Sequence, residues 1–233
     1  MKKQFDIDIN SRQLGILIDP DRHTSDELVP FLTKISEAKP DVLLLGSTLI
    51  HNSHTSEAAK LIKQHSTLPL VLFPGHFTHL TDEVDAVLLL SLISGRNADL
   101  LIGQHMLAAP QLAQMKAQII STGYMLIDGG SPTSVSYVSN TLPIPRSKTD
   151  IALCTALAGQ FIGMKLIYLD AGSGATESVP LEMVRTLKKQ LATPIVVGGG
   201  IHSREEIEAY WDAGANLVVV GNALESKPDL LTR

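Results

Sequence analysis

The sequence predicts an α/β fold, a TIM-type (β/α)8 barrel, on three observations. Eight short apolar runs recur along the 233 residues, and most are followed by a turn and a helix-like stretch. The runs read as continuous Val, Ile and Leu and do not alternate, as strands buried on both faces do. Glycine and small polar residues follow nearly every run, where a barrel of this type carries its site loops. The competing architecture is an open doubly wound sheet with a nucleotide at its switch point. The polar strand ends favour the closed barrel, trimmed relative to the roughly 250 residues usual for it.

The elements follow in order. Leu14–Ile18 ends in Asp19-Pro20-Asp21, and a helix opens behind Thr24 or Ser25 as N-cap, with Glu27 close by. Val42–Leu45 ends in Gly46-Ser47-Thr48, and a helix is expected from about Ser56 to His65. Leu70–Phe73 ends in Pro74-Gly75. Ala86–Leu90 is followed by Ser94-Gly95-Arg96-Asn97 and an expected helix around Ala109–Ile119. Tyr124–Ile127 ends in Asp128-Gly129-Gly130-Ser131, and Leu166–Leu169 in Asp170-Ala171-Gly172-Ser173-Gly174. Ile195–Val197 ends in Gly198-Gly199-Gly200, and Leu217–Val220 in Gly221-Asn222. Only Pro74 to Asp85 separate the third and fourth strands, too little for a loop, a helix and a second loop. The third outer helix is therefore missing or reduced. Either an apolar groove runs through the gap, or a one-turn helix fills it. Ser131 to Thr149, with Pro132, Pro143 and Pro145, is irregular and reads as a substrate lid or as a long surface loop.

Composition narrows the function classes. Hydrophobic residues make up 44% and charged residues 18%, which is globular and not disordered. The net charge of −5, without a basic run, argues against nucleic acid as a partner. Cys154 is the single cysteine, so no disulfide framework forms within the chain and a reducing compartment is expected. Met1 to Asn10 is polar and unlike a secretory signal, and no apolar run approaches the ~20 residues of a membrane span. The expectation is a soluble, cytoplasmic single-domain protein whose substrate could still be a lipid.

The strongest chemical signal lies at the last three strand ends. Glycine lets backbone N–H groups approach an anion without a Cβ in the way, and successive amides at a helix start add partial positive charge. Two glycine clusters about one βα unit apart, after the seventh and eighth strands, suit a phosphate. Alternatively, they only permit tight turns. Neither cluster contains Lys or Arg, so backbone dipoles would do most of the binding. Asp19 and Thr48 end neighbouring strands and are hard oxygen donors suited to Mg²⁺, with Asp21 a further candidate. Asp19 could equally cap the turn ahead of Pro20. Asp170 could orient or deprotonate a substrate hydroxyl, or simply accept amides of its own loop. The eight histidines lack His-Glu-x-x-His spacing, and Ser173 has no evident His–Asp partnership.

The segments Leu17-Ile18-Asp19-Pro20-Asp21, Tyr168 to Ala175, Gly198-Gly199-Gly200-Ile201 and Gly221-Asn222 resemble those of the geranylgeranylglyceryl and heptaprenylglyceryl phosphate synthase family, from about Leu14 to Glu225. Val138 to Arg146 and Ser94-Gly95-Arg96-Asn97 are similar to the geranylgeranyl branch. The resemblance implies a modified barrel with a reduced third helix. It implies transfer of a prenyl group to the C3 hydroxyl of sn-glycerol 1-phosphate, with release of diphosphate. By the same resemblance Tyr168, Leu169, Asp170, Ala171, Gly172, Ser173, Gly174, Gly199, Gly200, Gly221 and Asn222 would hold glycerol 1-phosphate. Asp19 and Thr48 would hold Mg²⁺, and Asp170 and Tyr124 would stand at the reacting centre. The donor would be a polyprenyl diphosphate, with a C20 chain favoured and C35 the alternative. A homo-oligomer, a dimer or hexamer, is expected. The chain departs from the family in having Asp170 where Glu is usual, and Gly46-Ser47-Thr48 where Gly-Gly-Ser is usual. Two other readings compete: a phosphosugar isomerase or synthase using the same cup, and a non-catalytic phospholipid-precursor binder.

Overall fold

The computed structural model describes residues 5–7, 10–50, 54–221 and 223–224. Eight parallel strands close into one barrel in sequence order: β1 (Gln13–Ile18), β2 (Val42–Leu45), β3 (Leu70–Leu72), β4 (Ala86–Leu92), β5 (Gln118–Leu126), β6 (Leu166–Asp170), β7 (Ile195–Gly198) and β8 (Leu217–Val220). Closure is direct, since Gly15 of β1 aligns with Val42 of β2 and with Val219 of β8. The open doubly wound sheet is thereby excluded.

The continuous apolar runs resolve into two alternating sets. In β6, Ile167 and Leu169 join the layer between strands and helices, which also holds Met183, Val184 and Leu187. Leu166 and Tyr168 point the other way, into an inner cluster with Val42, Leu44, Val71, Leu88, Val196, Leu217 and Val219. Phe5 belongs to the inner cluster and is 4% exposed. Both faces of every strand are thus covered, which is why neither face is polar.

Seven α-helices surround the barrel among the described residues: α1 (Ser25–Ser36), α2 (Thr55–His65), α3 (Gln104–Leu112), α4 (Ser134–Ser139), α5 (Thr149–Phe161), α6 (Leu181–Lys188) and α7 (Arg204–Ala213). Thr24 is the N-cap of α1, and its amide donates to Glu27 Oε2 at 2.9 Å. Between β3 and β4 there is only one 3₁₀ turn, Phe77–His79. The third outer helix is reduced to that turn, as the short Pro74–Asp85 connection requires.

Two expectations need correction. The helix expected around Ala109–Ile119 instead runs over Gln104–Leu112, continuing a π turn over Asp99–Gly103. Residues from Gln118 onward belong to β5, where Gln118, Ile119 and Ile120 align with Ala86, Val87 and Leu88 of β4. The isoleucines are better matched to a pleated, half-buried surface than to a helix. The irregular Ser131–Thr149 stretch contains α4, capped by Thr133, whose side chain accepts from the Ser136 amide, and ended by Asn140 in the left-handed region. It is therefore more than an unstructured surface loop. Asn97 Nδ2 donates to Ser139 O at 2.9 Å and ties the end of α4 to the loop after β4.

Candidate active site

Two cavities open side by side at the C-terminal ends of the strands. The first is a glycine-lined cup. Its wall includes Asp19, Thr48, Tyr124, Tyr168, Asp170, Gly172, Ser173, Gly174, Gly199, Gly200 and Gly221. Residues separated by two hundred positions in the chain therefore meet at one place. No Lys or Arg is among the cup's described lining residues; His202 is there.

Strand alternation decides which residues reach the cup. Tyr168 and Asp170 face inward, whereas Leu169 and Ala171 are fully buried in the strand–helix layer. The Ala171 amide is already used, donating to Gly198 O at 3.0 Å. Leu169 and Ala171 are thus parts of the cup's foundation and not of its surface. Asn222 lies outside the described residues.

The loop conformation depends on glycine at Gly199. Its φ is +80°, and a Cβ there would lie 2.5 Å from Asp170 Oδ1 and 2.6 Å from the Gly172 amide nitrogen. Any side chain would therefore displace both the carboxylate and the loop. Gly172, at φ +92°, lets its own amide turn back and donate to Asp170 Oδ1 at 2.7 Å.

Asp170 is 8% exposed. Tyr124 donates its hydroxyl to Asp170 Oδ2 at 2.7 Å. Burial raises the Asp170 carboxyl above its ordinary value, opposed by the hydrogen bonds from Tyr124 and the Gly172 amide. Burial and then the Asp170 charge push the Tyr124 phenol well above its ordinary value. Tyr124 therefore stays a protonated donor. The two groups form a buried carboxylate with one fixed donor on each oxygen.

The second cavity is an apolar groove. It runs past Phe73 to Phe77, under the one-turn segment that replaces the third helix, and along Leu89, Leu90 and Leu92. Leu100, Gln104, His105 and Ala108 wall it on one side, and Val135, Val138 and Ser139 on the other. His105 Nε2 lies 2.8 Å from Leu90 O, which orients the imidazole. The reduced helix and the groove thus coexist. The sequence offered no sign of the wall from Gln104 to Ala108, because the helix was expected to begin only after it.

The two cavities share Ser47, Thr48, Phe73, Tyr124 and Val135. Phe73 packs its ring 5.2 Å from that of Tyr168 and 6.0 Å from that of Tyr124. This aromatic trio forms the seam between the glycine-lined cup and the apolar groove. Phe73 carried no chemical signal in sequence, where it read only as the end of a strand.

Asp19 lines the cup and also caps its own turn: Oδ1 accepts from the Asp21 amide at 3.0 Å, and Oδ2 lies 3.5 Å from Arg22 Nε. The turn-capping reading of Asp19 is thus met, and its side chain also lines the cup. Among the described residues no group of three or more His, Cys, Asp or Glu side chains surrounds a metal position. One carboxylate and one hydroxyl on the same wall are hard oxygen donors, the sparse set that suits Mg²⁺ completed by water and substrate phosphate.

The fold and site together define a (β/α)8-barrel protein whose mouth pairs an amide-rich cup with an apolar groove. Within that class, the chain belongs to the PcrB family, whose model matches residues 7–233. A geranylgeranylglyceryl phosphate synthase of Spirosoma linguale is 46% identical over 220 residues, covering 94% of this chain and 88% of that protein. One from Pyrococcus furiosus is 38% identical over 213 residues, covering 91% and 84%. The crystal structure of (S)-3-O-geranylgeranylglyceryl phosphate synthase from Thermoplasma acidophilum, in complex with substrate sn-glycerol-1-phosphate, superimposes with a TM-score of 0.90. It is 31% identical, over 96% of this chain and 91% of that one.

Proposed function

We propose that this chain, a prenyltransferase, joins the C3 hydroxyl of sn-glycerol 1-phosphate to C1 of a prenyl diphosphate, with geranylgeranyl the favoured donor. The observation that carries the reading is the position of Asp170, inside the cup and hydrogen-bonded to Tyr124 on the seam with the groove. The phosphate of the acceptor would lie against the amides of Ser173, Gly174, Gly199 and Gly200, since the Gly172 amide is already bonded to Asp170. A phosphate held there fixes the direction of the free hydroxyl, which converts a bimolecular encounter into a positioned one. The prenyl chain would lie in the groove, with its diphosphate toward Thr48 and Asp19. Those two residues would hold Mg²⁺, which supplies charge neutralisation of the departing diphosphate. The new C–O bond forms as the bond from C1 to the diphosphate oxygen breaks. Asp170 accepts the hydroxyl proton while Tyr124 keeps the carboxylate oriented. The exposed Ile151, Phe161 and Ile162 of α5 and its end support the further expectation of self-association.

Product analysis by mass spectrometry tests the reading. Purified protein with sn-glycerol 1-phosphate, Mg²⁺ and a panel of farnesyl, geranylgeranyl and heptaprenyl diphosphates should yield the geranylgeranyl ether as the main product, and none with excess EDTA. A heptaprenyl ether as the main product would overturn the donor assignment. The absence of any ether would overturn the reaction.

A further inference from the structure

The cup's two banks of amides come from different loops, and a cup so rich in glycine needs something outside it to hold the spacing. Arg146 is a partly buried side chain that does not line the cup. Its Nη1 donates to Ser178 O at 2.7 Å and to Asp128 O at 3.1 Å, and its Nε lies 2.7 Å from Glu177 Oε2. Glu177 and Ser178 lie in the loop between β6 and α6, which also carries Gly172. Asp128 leaves β5.

We infer that Arg146 is a positioning residue for the glycerol-phosphate cup: it ties the loop after β6 to the exit of β5 and so holds the cup's two banks at a fixed distance. The inference rests on the reading of the cup given above. The link to the second bank is steric. A Cβ on Gly200 would lie 3.0 Å from the Glu177 carbonyl and from the Ser178 nitrogen, so these backbones already touch. A shift of residues 177–178 is therefore felt at Gly200. Two other ties hold this loop: Gly129 O accepts from the Thr176 amide, the Glu177 amide and the Thr176 hydroxyl at once, which weakens each bond, and the buried Tyr210 hydroxyl of α7 donates to Val179 O. Ser178 O has Arg146 as its strong partner, a charge-assisted bond. Arg146 is itself anchored, because Ile144 two residues before it bonds Leu126 O and accepts from the Asp128 amide.

The fork geometry matters. A planar guanidinium can serve two carbonyls and a carboxylate together, and an ammonium on a flexible stem cannot do so in the same fixed geometry. Arg146→Ala should weaken binding of sn-glycerol 1-phosphate, measured by calorimetry without donor, by roughly tenfold or more. KM for geranylgeranyl diphosphate should stay within about twofold, since the groove does not touch this clamp. Arg146→Lys should fall between the two, and it carries the test if the alanine variant does not fold. Glu177→Gln leaves both carbonyl acceptors in place and should alter binding less than about threefold. Unchanged glycerol-phosphate binding in the Arg146 variants would overturn the inference. Equal loss for both substrates, together with a lowered Tm, would also overturn it by showing a merely structural role. Failure of the wild-type protein to bind sn-glycerol 1-phosphate would instead remove the reading of the cup, and the inference with it.

Discussion

Asp170 sits where burial opposes its charge and two donors favour it, so its protonation is a balance that substitution can shift. Tyr124→Phe removes the hydrogen bond that favours the carboxylate. The acid limb of kcat/KM should therefore move to higher pH than in the wild type; a limb that stays in place would mean that another group titrates there. The raised value also has a consequence for stability. The folded chain holds this proton more tightly than the unfolded chain, so stability declines as pH rises from the ordinary carboxylate range, about 4, through the raised value. Asp170→Asn removes that cost and keeps both neighbours bonded, with its oxygen accepting from Gly172 and its amide donating to the Tyr124 oxygen. Thermal denaturation at neutral pH should give a Tm at or above the wild type, while turnover should fall by roughly 10²-fold or more. A clear drop in Tm would show that the charge itself is stabilising. Aspartate is one methylene shorter than glutamate, and here it reaches Tyr124 at 2.7 Å from the strand end itself.

At the scale of elements, the missing helix between β3 and β4 and the position of α3 together make the groove. Ala108 is 4% exposed and faces it from α3. Ala108→Phe should shorten the groove, lowering kcat/KM for geranylgeranyl diphosphate more than for farnesyl diphosphate; equal losses for both donors would place the chain elsewhere. Much of this architecture was legible in the residues. The eight runs, the glycine clusters and the short Pro74–Asp85 connection each reflect a local physical requirement: two-sided burial, close approach of amides, or insufficient chain for a helix. The groove's far wall was not legible, because π and α turns at Asp99–Leu112 carry no strong apolar period and β5 starts as early as Gln118. The inward turn of Tyr168 and Asp170, against the outward turn of Leu169 and Ala171, was also hidden. A run apolar on both faces does not reveal which residues face inward. The roles of Arg146 and Phe73 were hidden for a similar reason, since both act through carbonyls or rings that only the closed barrel brings near.

On the scale of the whole molecule, barrel closure lets a polar and an apolar cavity share one wall. The strand ends carrying Asp19, Thr48, Tyr124, Asp170, Gly199 and Gly221 are adjacent only because β8 returns to β1. The inner cluster, which includes Phe5, fills the barrel beneath them, so the mouth is open on one face over a packed core. No helix among the described residues is long and apolar enough to cross a membrane. If the cup works through backbone dipoles, acceptor binding needs no metal. Saturating sn-glycerol 1-phosphate should then raise Tm in the presence of EDTA, by an amount corresponding to about 2.7 kcal/mol at a hundredfold excess over Kd. No rise would mean that the cup is incomplete without a cation. The most direct measurement is the crystal structure of this protein soaked with sn-glycerol 1-phosphate. The phosphate should lie against the amides of Ser173, Gly174, Gly199 and Gly200, with the C3 hydroxyl directed at Asp170. Density for the ligand outside this cup, or with that hydroxyl turned away from Asp170, would contradict the account.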